Sequence, residues 1–292
     1  MSKIKLVGHT RNQRGMWAGV IGLVGNMVIF ASKIFVGVAS GSIAIISDSI
    51  NNLLDSTSSV IAIFSFRVGG KRKDATHPNG HGRVEYLAAL CVAIVIVLTA
   101  IVLGFFSIQR IVNPTPVEGG VAMVAVVVIT MVGKGLLGVY YFWENRKVKS
   151  QVLKAAGLDS IGDTVATAVA LVALIFSPMT DFPIDGIAGV VVSLFILMIG
   201  LQSFFQSSHL IIGYRPEKKL RSKVRQEILS ADSFTSIRKM TFHDYGPTMR
   251  DAVVMVRLKR GVRREKVEAD IDKVKHKLKL EYGVALTLYW AP

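Results

Sequence analysis

Six long apolar blocks fill the chain before about residue 213, and they decide what it can fold into. A transmembrane helix needs about 20 consecutive and mostly apolar residues. The blocks run over about 16–38, 43–66, 84–108, 121–143, 154–176 and 185–207. With 51% of its 292 residues hydrophobic, the chain as a whole is not a soluble globular protein. The blocks predict an all-α membrane domain of six transmembrane helices over residues 1–213.

Lys and Arg are concentrated in alternate connections between the blocks. They are frequent at the N-terminus, after the second and fourth blocks and after the sixth, whereas residues 37–42 contain none. Cytoplasmic segments carry an excess of Lys and Arg. We therefore expect a multi-pass protein of the plasma membrane with both termini in the cytoplasm. This topology accounts for the net charge of +15, and neither a groove-reading motif nor aromatic platforms favour a nucleic-acid partner.

Residues 214–292 are predicted to form a small cytoplasmic α+β domain. Two segments, Ser236–Phe242 and the Val-rich Ala252–Leu258, have the composition of strands, and the turn residues Tyr245-Gly246-Pro247 lie between them. The predicted elements are a helix over Glu217–Leu229, these two strands, a helix whose apolar face holds Val267, Ile271, Val274 and Leu278, and a last strand over Val284–Trp290. A helix packed on a sheet would bury that apolar face.

Acidic side chains interrupt two of the apolar blocks. Charges inside a bilayer cost several kcal/mol and therefore indicate function. The second block carries Asp48, Asn51 and Asp55, and the fifth carries Asp159 and Asp163. Spacings of three, four and seven residues put each set on one helix face. Because antiparallel helices with acids near the midplane can bring those acids together, we expect one shared site. The alternative is that the acids cap helices or bond to polar neighbours.

All of these groups offer oxygen atoms, and no His or Cys accompanies them. Hard oxygen ligands suit Mg, Ca and Mn, whereas imidazole and thiolate favour Zn and Cu. Carboxylates crowded in a low-dielectric interior repel one another unless a cation or protons neutralise them. The pattern therefore indicates a site that binds either a divalent metal or protons. The ligand type alone does not separate Mn²⁺ from Fe, Cd or Mg.

Three motifs resemble, in order, those of the cation diffusion facilitator family, bacterial type. They are Gly41-Ser42 followed by Ser47-Asp48-Ser49 and Asn51-xxx-Asp55, the run His77-Pro78-Asn79-Gly80-His81-Gly82-Arg83-Val84-Glu85, and Asp159-xxx-Asp163. The resemblance covers nearly the whole chain, since six helices and a small cytoplasmic domain are also features of that family. An Asn or Asp variant on the second helix, with Asp-xxx-Asp on the fifth, is typical of its manganese group.

The resemblance implies metal export from the cytoplasm by proton antiport, through alternating access in a homodimer. It implies that the metal ligands are Asn51, Asp55, Asp159 and Asp163, with the three acids as proton carriers. Mn²⁺ is then the transported substrate, and no cofactor is expected. The resemblance also implies a ferredoxin-like or metallochaperone-like C-terminal domain that serves in dimerisation. Its chain end, Leu288–Pro292, lacks the His and Asp that bind zinc in many family members.

The resemblance also marks a candidate second metal site before the third helix, where Asp74, His77 and His81 lie three and four residues apart. Two imidazoles and a carboxylate can bind a transition metal together with a water. The neighbouring Lys and Arg oppose a cation, so hydrogen-bonded loop structure is the alternative. Asp48 and His243 are accessory candidates.

Two basic residues have no assigned role. Lys134 lies inside the fourth block, where it would either extend to the cytoplasmic edge or pair with an acid such as Glu144. Arg83 stands where the family has a base that pairs with an acid at the end of the sixth helix. Here Ile211-Ile212-Gly213 offers no acid.

Other functions remain open at this point. One is a transporter of the same fold that carries Zn²⁺, Fe²⁺ or Cd²⁺. Another is a non-transporting metal sensor or scaffold in the membrane, in which the C-terminal domain recruits partners. An enzyme is not expected, because the sequence offers no nucleophile and base in a recognisable pairing.

Overall fold

A computed structural model of the chain describes residues 2–40, 43–71, 73–113, 121–176, 184–213 and 216–290. At several helical positions within these ranges, among them Asp48 and Asn51, the description extends to the backbone alone. The chain divides into two compact units. The helical unit comprises His9–Val68 and Glu85–Ser208, and the mixed unit comprises Met1–Gly8, Gly69–Val84 and His209–Pro292.

Six long helices account for most of the chain before residue 213. They are α1 (Ser2–Ser40), α2 (Ile43–Gly69), α3 (Val84–Val112), α4 (Val121–Val148), α5 (Gln151–Phe176) and α6 (Ile184–Ile212). Each contains one of the apolar blocks. The helix α1 begins well before its block, because the preceding segment is rich in Lys, Arg and Gln, which are good helix formers.

Four of these helices contain stretches long and apolar enough to cross a membrane, among the residues whose side chains are described. The stretches are Thr10–Val36, Val84–Val112, Val124–Val148 and Gly186–Ile212. The helices α2 and α5, which carry Asp55, Asp159 and Asp163, are not among them. The described part of α5 holds Lys154, Asp159 and Asp163 within ten residues, and these charges lower its apolar character. The region is therefore mostly helical with four candidate spans, and six spans are not confirmed.

Small residues allow the helices of the helical unit to approach one another closely. A Cβ atom at Gly22 of α1 would overlap the hydroxyl of Tyr141 on α4. A Cβ atom at Gly138 of α4 would lie 2.9 Å from the side chain of Ile161 on α5. Close packing around small residues is a principal source of helix association in membranes. These contacts fix α4 against both α1 and α5.

A buried ion pair joins three segments at one end of the helical unit. Arg11 donates from Nη1 and Nη2 to the two carboxylate oxygens of Glu85, at 2.6 and 2.9 Å. Its Nε donates to the carbonyl oxygen of Val148 at 2.7 Å. The hydroxyl of Ser150 donates to Glu85 Oε2 at 2.9 Å. Only 3% of Glu85 is exposed, so its charge is satisfied almost wholly by these donors.

The mixed unit contains a three-stranded sheet, which confirms the predicted small α+β region. Its elements are α7 (Lys218–Leu229), β1 (Phe234–Asp244), β2 (Arg250–Leu258), α8 (Arg264–Tyr282) and β3 (Val284–Trp290). The strand order is β1-β2-β3, with β1 antiparallel and β3 parallel to β2. Since a parallel pair needs a crossover, α8 connects β2 to β3. The four apolar residues predicted for this helix are all buried in the core of the unit: Val267, Ile271, Val274 and Leu278.

The connection between α2 and α3 packs against the turn between β1 and β2, within the mixed unit. Arg83 Nε donates to the carbonyl oxygen of Asp244 at 2.9 Å, and its guanidinium lies 5.0 Å from the ring centroid of Tyr245. Gly82 and Gly246 face each other so closely that a Cβ at Gly82 would lie 2.6 Å from the Tyr245 oxygen. Gly246 has φ of 127°, which favours glycine. Arg83 therefore has a backbone carbonyl as its partner.

Candidate metal site

Asp55 on α2 and Asp163 on α5 bind the same ammonium group. Lys134 Nζ, from α4, lies 2.6 Å from Asp55 Oδ2 and 2.8 Å from Asp163 Oδ2. The structure thus brings together one acid from each of the two helices that the sequence pattern singled out. The close approach of α4 to α5 at Gly138, one turn beyond Lys134, holds the lysine beside Asp163.

This charged cluster is buried. Asp55 is 9% exposed and Lys134 is 4% exposed. An unpaired charge at such a position would be strongly destabilising. Here each charge has an opposite partner at hydrogen-bond distance, and the lysine uses two of its three donors on the acids. Lys134 does not pair with Glu144, which instead accepts from Lys147 Nζ at 3.2 Å.

Asp159 stands one turn from Asp163 along α5 and has a different partner. Its Oδ2 accepts a hydrogen bond of 2.9 Å from the hydroxyl of Ser58 on α2. A hydrogen bond from the uncharged hydroxyl of Ser58 therefore connects α2 and α5 one turn away from Lys134. Asp159 does not share the lysine's hydrogen bonds, so the structure brings the three acids near one another without converging all three on one atom.

Further polar groups continue from this level onto α1 and α4. Ser59, next to Ser58 on α2, lies 2.9 Å from the hydroxyl of Tyr141. Asn26 Nδ2 donates to Ser59 Oγ at 3.4 Å, and Asn26 Oδ1 is buried with no partner in the described part of the chain. Lys33 on α1 is 4% exposed, and its positive charge acts on Asp55. The acids thus lie in a polar region formed by four helices.

Asn51 and Asp48 lie outside the described side chains. Their backbone positions in α2 place Asn51 one turn before Asp55 and Asp48 about two turns before it. Their assignment as ligand and accessory group stays a prediction.

The second candidate cluster lies in the connection between α2 and α3. Asp74, His77 and His81 place one ligand atom each within 4.8 Å of one another. His81 Nε2 lies 3.3 Å from Asp74 Oδ2, and the two imidazole rings have centroids 4.4 Å apart. The backbone N–H of His77 donates to Asp74 and holds the pKa of that carboxyl below its usual value. Two imidazoles and an ionised carboxylate are a suitable ligand set for a transition metal.

His243 lies in the mixed unit, beside an aromatic ring. It is near the end of β1, and its ring stacks at 6.5 Å on that of Tyr245. Among the described residues, it belongs to no group of three ligand side chains. Its role as an accessory metal ligand therefore stays a prediction.

Sequence reasoning missed several residues of the charged cluster. Ser58 and Tyr141 carried no signal, because a hydroxyl in an apolar helix is common. Lys33 carried a signal: it lies seven residues after Asn26, on the same face of α1, within an apolar block. Lys134 was recognised as unusual, but its partners depend on the rotation of α4, which periodicity alone does not give.

Several long apolar helices define a class of protein, the multi-pass membrane proteins, and here two acids from different helices meet at the ammonium of Lys134. Residues 19–212, about two thirds of the chain, match the family model described as the cation efflux transmembrane domain. The chain therefore belongs to the cation diffusion facilitator family, and it is a cation efflux transporter. This is a family of transporters and not of enzymes.

Named relatives cover most of the chain. It is 30% identical to an uncharacterized transporter of Methanocaldococcus jannaschii over 228 residues, which are 78% of this chain and 81% of that protein. It is 24% identical to the manganese efflux system protein MneP of Bacillus subtilis, over 81% of this chain and 82% of MneP. It is 27% identical to the cation-efflux pump FieF of Salmonella arizonae, over 70% of this chain and 66% of that pump.

Proposed function

We propose that this transporter exports Mn²⁺ from the cytoplasm in exchange for protons, by alternating access to a site formed by Asn51, Asp55, Asp159 and Asp163. The observation that carries the proposal is the convergence of Asp55 and Asp163 on one nitrogen atom. Two carboxylates from different helices that bind an ammonium are also arranged to bind a small divalent cation between them.

The choice of Mn²⁺ rests on the donor atoms and on one relative. Every assigned ligand offers oxygen, which suits Mn²⁺ better than Zn²⁺ or Cu²⁺. The relative MneP is named a manganese efflux protein. The relative FieF is named only a cation-efflux pump, so its name does not choose between Mn²⁺ and the alternative cargoes Zn²⁺, Fe²⁺ and Cd²⁺.

Proton exchange is proposed because metal and protons compete for the same oxygens. A carboxylate must be deprotonated to bind metal, so binding releases protons and protonation releases metal. Asp55, Asp159 and Asp163 are the proposed proton carriers. No cofactor is required, since the metal is the substrate.

We also propose that all six helices cross the plasma membrane, with both termini in the cytoplasm. The helices α2 and α5 have 27 and 26 residues, which is enough to span a bilayer. The pairing of Asp55 and Asp163 with Lys134 lowers the cost of carrying charges there. Large apolar side chains exposed on the described helices, such as Phe35, Phe105 and Leu136, would face lipid.

Residues 214–292 are proposed to form a cytoplasmic domain that dimerises. The strand β3 is an edge of the three-stranded sheet, and its Tyr289 and Trp290 are 40% and 39% exposed. Exposed aromatic residues beside an open edge favour association with a second copy. The cluster of Asp74, His77 and His81 is proposed as a second, non-transporting metal site.

The test is metal flux into proteoliposomes under an imposed pH gradient. Wild-type protein should move Mn²⁺ faster than Zn²⁺, and dissipating the gradient should stop the flux. The variant Asp163→Ala should lose the flux, because it removes one of the two carboxylates that converge on the cation.

A matched control is Asp232→Ala, which removes an acid that is 81% exposed in the mixed unit and should leave flux unchanged. Folded Asp163→Ala that still transports would contradict the site. Zinc flux without manganese flux would contradict the choice of metal. No flux of any divalent metal in folded wild-type protein would favour a membrane sensor or scaffold.

A further inference from the structure

Lys134 is an unusual residue for the middle of an apolar helix, and it does not extend to a polar edge. It lies between Met131 and Leu137 on α4, with 4% of its surface exposed. Lysines near helix ends usually carry the ammonium to the membrane surface. This one turns its charge inward, onto the two acids Asp55 and Asp163.

The lysine nitrogen lies where a metal bound by both acids would lie. Oxygen-ligated Mg²⁺ and Ca²⁺ sit about 2.0–2.6 Å from their ligands, and Nζ is 2.6 and 2.8 Å from one oxygen of each acid. A metal and Nζ cannot occupy that position together, because their atoms would overlap and their like charges repel strongly in a buried site. Metal and lysine therefore exclude each other from this pair of carboxylates.

We propose that Lys134 is a tethered competitor of the transported cation, which weakens metal binding at Asp55 and Asp163 and speeds metal release. The inference rests on the proposed transport function. An arriving metal displaces the ammonium from the acids. When the metal leaves, the ammonium returns to the same oxygens and hinders rebinding.

The chain supplies what such displacement requires. A lysine ammonium is a point charge on a flexible stem of four carbons, so it can leave two acceptors without moving the helix. Gly133 and Gly135 flank Lys134, and Cβ atoms built there would meet their neighbours only at ordinary distances of 3.5 Å or more. Asp159 keeps its own partner, Ser58, and remains available as a further oxygen when the lysine moves.

A purely structural role makes the opposite prediction. If Lys134 only held α2, α4 and α5 together, its removal would loosen the acids and weaken metal binding. Competition predicts that removal of the charge tightens binding and slows turnover. The two roles are therefore separated by the sign of the change in affinity.

The experiment compares wild type with Lys134→Met, which keeps an unbranched side chain of nearly the same length and removes its charge. Mn²⁺ affinity is measured by titration calorimetry in detergent at pH 8, without oxygen, and KM and kcat by flux in proteoliposomes. Since hydrogen bonds to charged groups are the strong ones, Lys134→Met should bind Mn²⁺ roughly tenfold more tightly or better. Its KM and its kcat should both fall.

Two control variants accompany it. Lys134→Arg keeps the charge and should stay close to wild type in affinity. Lys154→Met makes the same substitution at a lysine on α5 that donates to Gln206 Oε1 at 2.9 Å. It should leave Mn²⁺ affinity unchanged, because the lysine it removes contacts an uncharged amide.

A folded Lys134→Met with unchanged or weaker Mn²⁺ affinity would overturn the competition. If that variant does not yield a monodisperse protein, the wild type supplies the test. Saturating Mn²⁺ should then displace the ammonium and increase the rate of reductive methylation of Lys134, which mass spectrometry measures. An unchanged rate would overturn the competition. If wild-type protein neither binds nor moves metal, the transport proposal fails. If it transports and Lys134→Met binds no more tightly, the competition alone fails.

Discussion

The two candidate metal clusters both contain aspartates, but these aspartates differ in their exposure and in the groups that pair with them. Asp55 is buried and Asp163 is partly buried in the helical unit, and both are held by a positive side chain from a third helix. Asp74 has a side chain that is 51% exposed in the mixed unit and is paired with two imidazoles. Water solvates the second cluster, so its residues need no permanent counter-charge. Asp55 and Asp163 do need a positive partner. In the proposed function that partner is either Lys134 or the transported metal.

The largest expected effect is a difference in metal flux between variants of the buried Asp55 and the exposed Asp74. Asp55→Asn should reduce metal flux at least about 100-fold, because it removes a charged ligand of the proposed site and such a loss costs about 3 kcal/mol of binding free energy. Asp74→Asn should reduce it less than about tenfold, as expected for an exposed pair. Flux assays on both variants, with folding checked by gel filtration, make the comparison. Equal losses would remove the distinction between the two clusters.

A second comparison counts metal at the exposed cluster. The double variant His77→Ala and His81→Ala should bind one Zn²⁺ fewer per chain than wild type, measured by elemental analysis after gel filtration. The reason is that a lone exposed carboxylate is a weak ligand for Zn²⁺. Its Mn²⁺ flux should fall by less than about tenfold, since losses of about 10–100-fold are typical of groups that hydrogen-bond the ligands of the reacting metal, whereas these imidazoles pair with Asp74. An unchanged metal count would show that the imidazoles serve the loop alone.

The smallest effect concerns the packing that holds the exposed cluster in the mixed unit. Gly82→Ala would place a Cβ 2.6 Å from the carbonyl oxygen of Tyr245. Overpacking of this kind costs about 1–3 kcal/mol, so the melting temperature should fall by several degrees. Gly25→Ala is the control, because its Cβ would meet Leu137 at an ordinary 3.7 Å. Differential scanning fluorimetry in detergent measures both, and equal melting temperatures would contradict the close contact.

The mixed unit was the more predictable part of the fold. Alternating strands and a helix with apolar residues at positions 267, 271, 274 and 278 are local patterns, and the structure bears them out. The turn at Tyr245-Gly246-Pro247 was predicted from turn chemistry, and Gly246 has the positive φ that such a turn uses. The helical unit was predicted at the level of its six helices, because length and apolar composition are strong signals.

The candidate transport site could be predicted only in part. Helical spacing put Asp159 and Asp163 on one face of α5, and a buried acid on a second helix indicated a shared site. The two acids that pair with Lys134 could not be predicted, because the pairing depends on how α4 is rotated against its neighbours. Arg83 illustrates the same limit, since its partner is a backbone carbonyl of Asp244, which no sequence pattern marks.

The cluster around Arg11 and Glu85 has a consequence for how the protein is made. Arg11 contacts Glu85, which is 74 residues further along the chain, and Val148, which is 137 residues further along. The last of these partners leave the ribosome long after α1 has been synthesised. Until then Arg11 and Glu85 have no complete set of partners, and the loop that must close between them carries an entropic cost. This end of the helical unit is therefore complete only after Ser150, which lies between α4 and α5, has been synthesised.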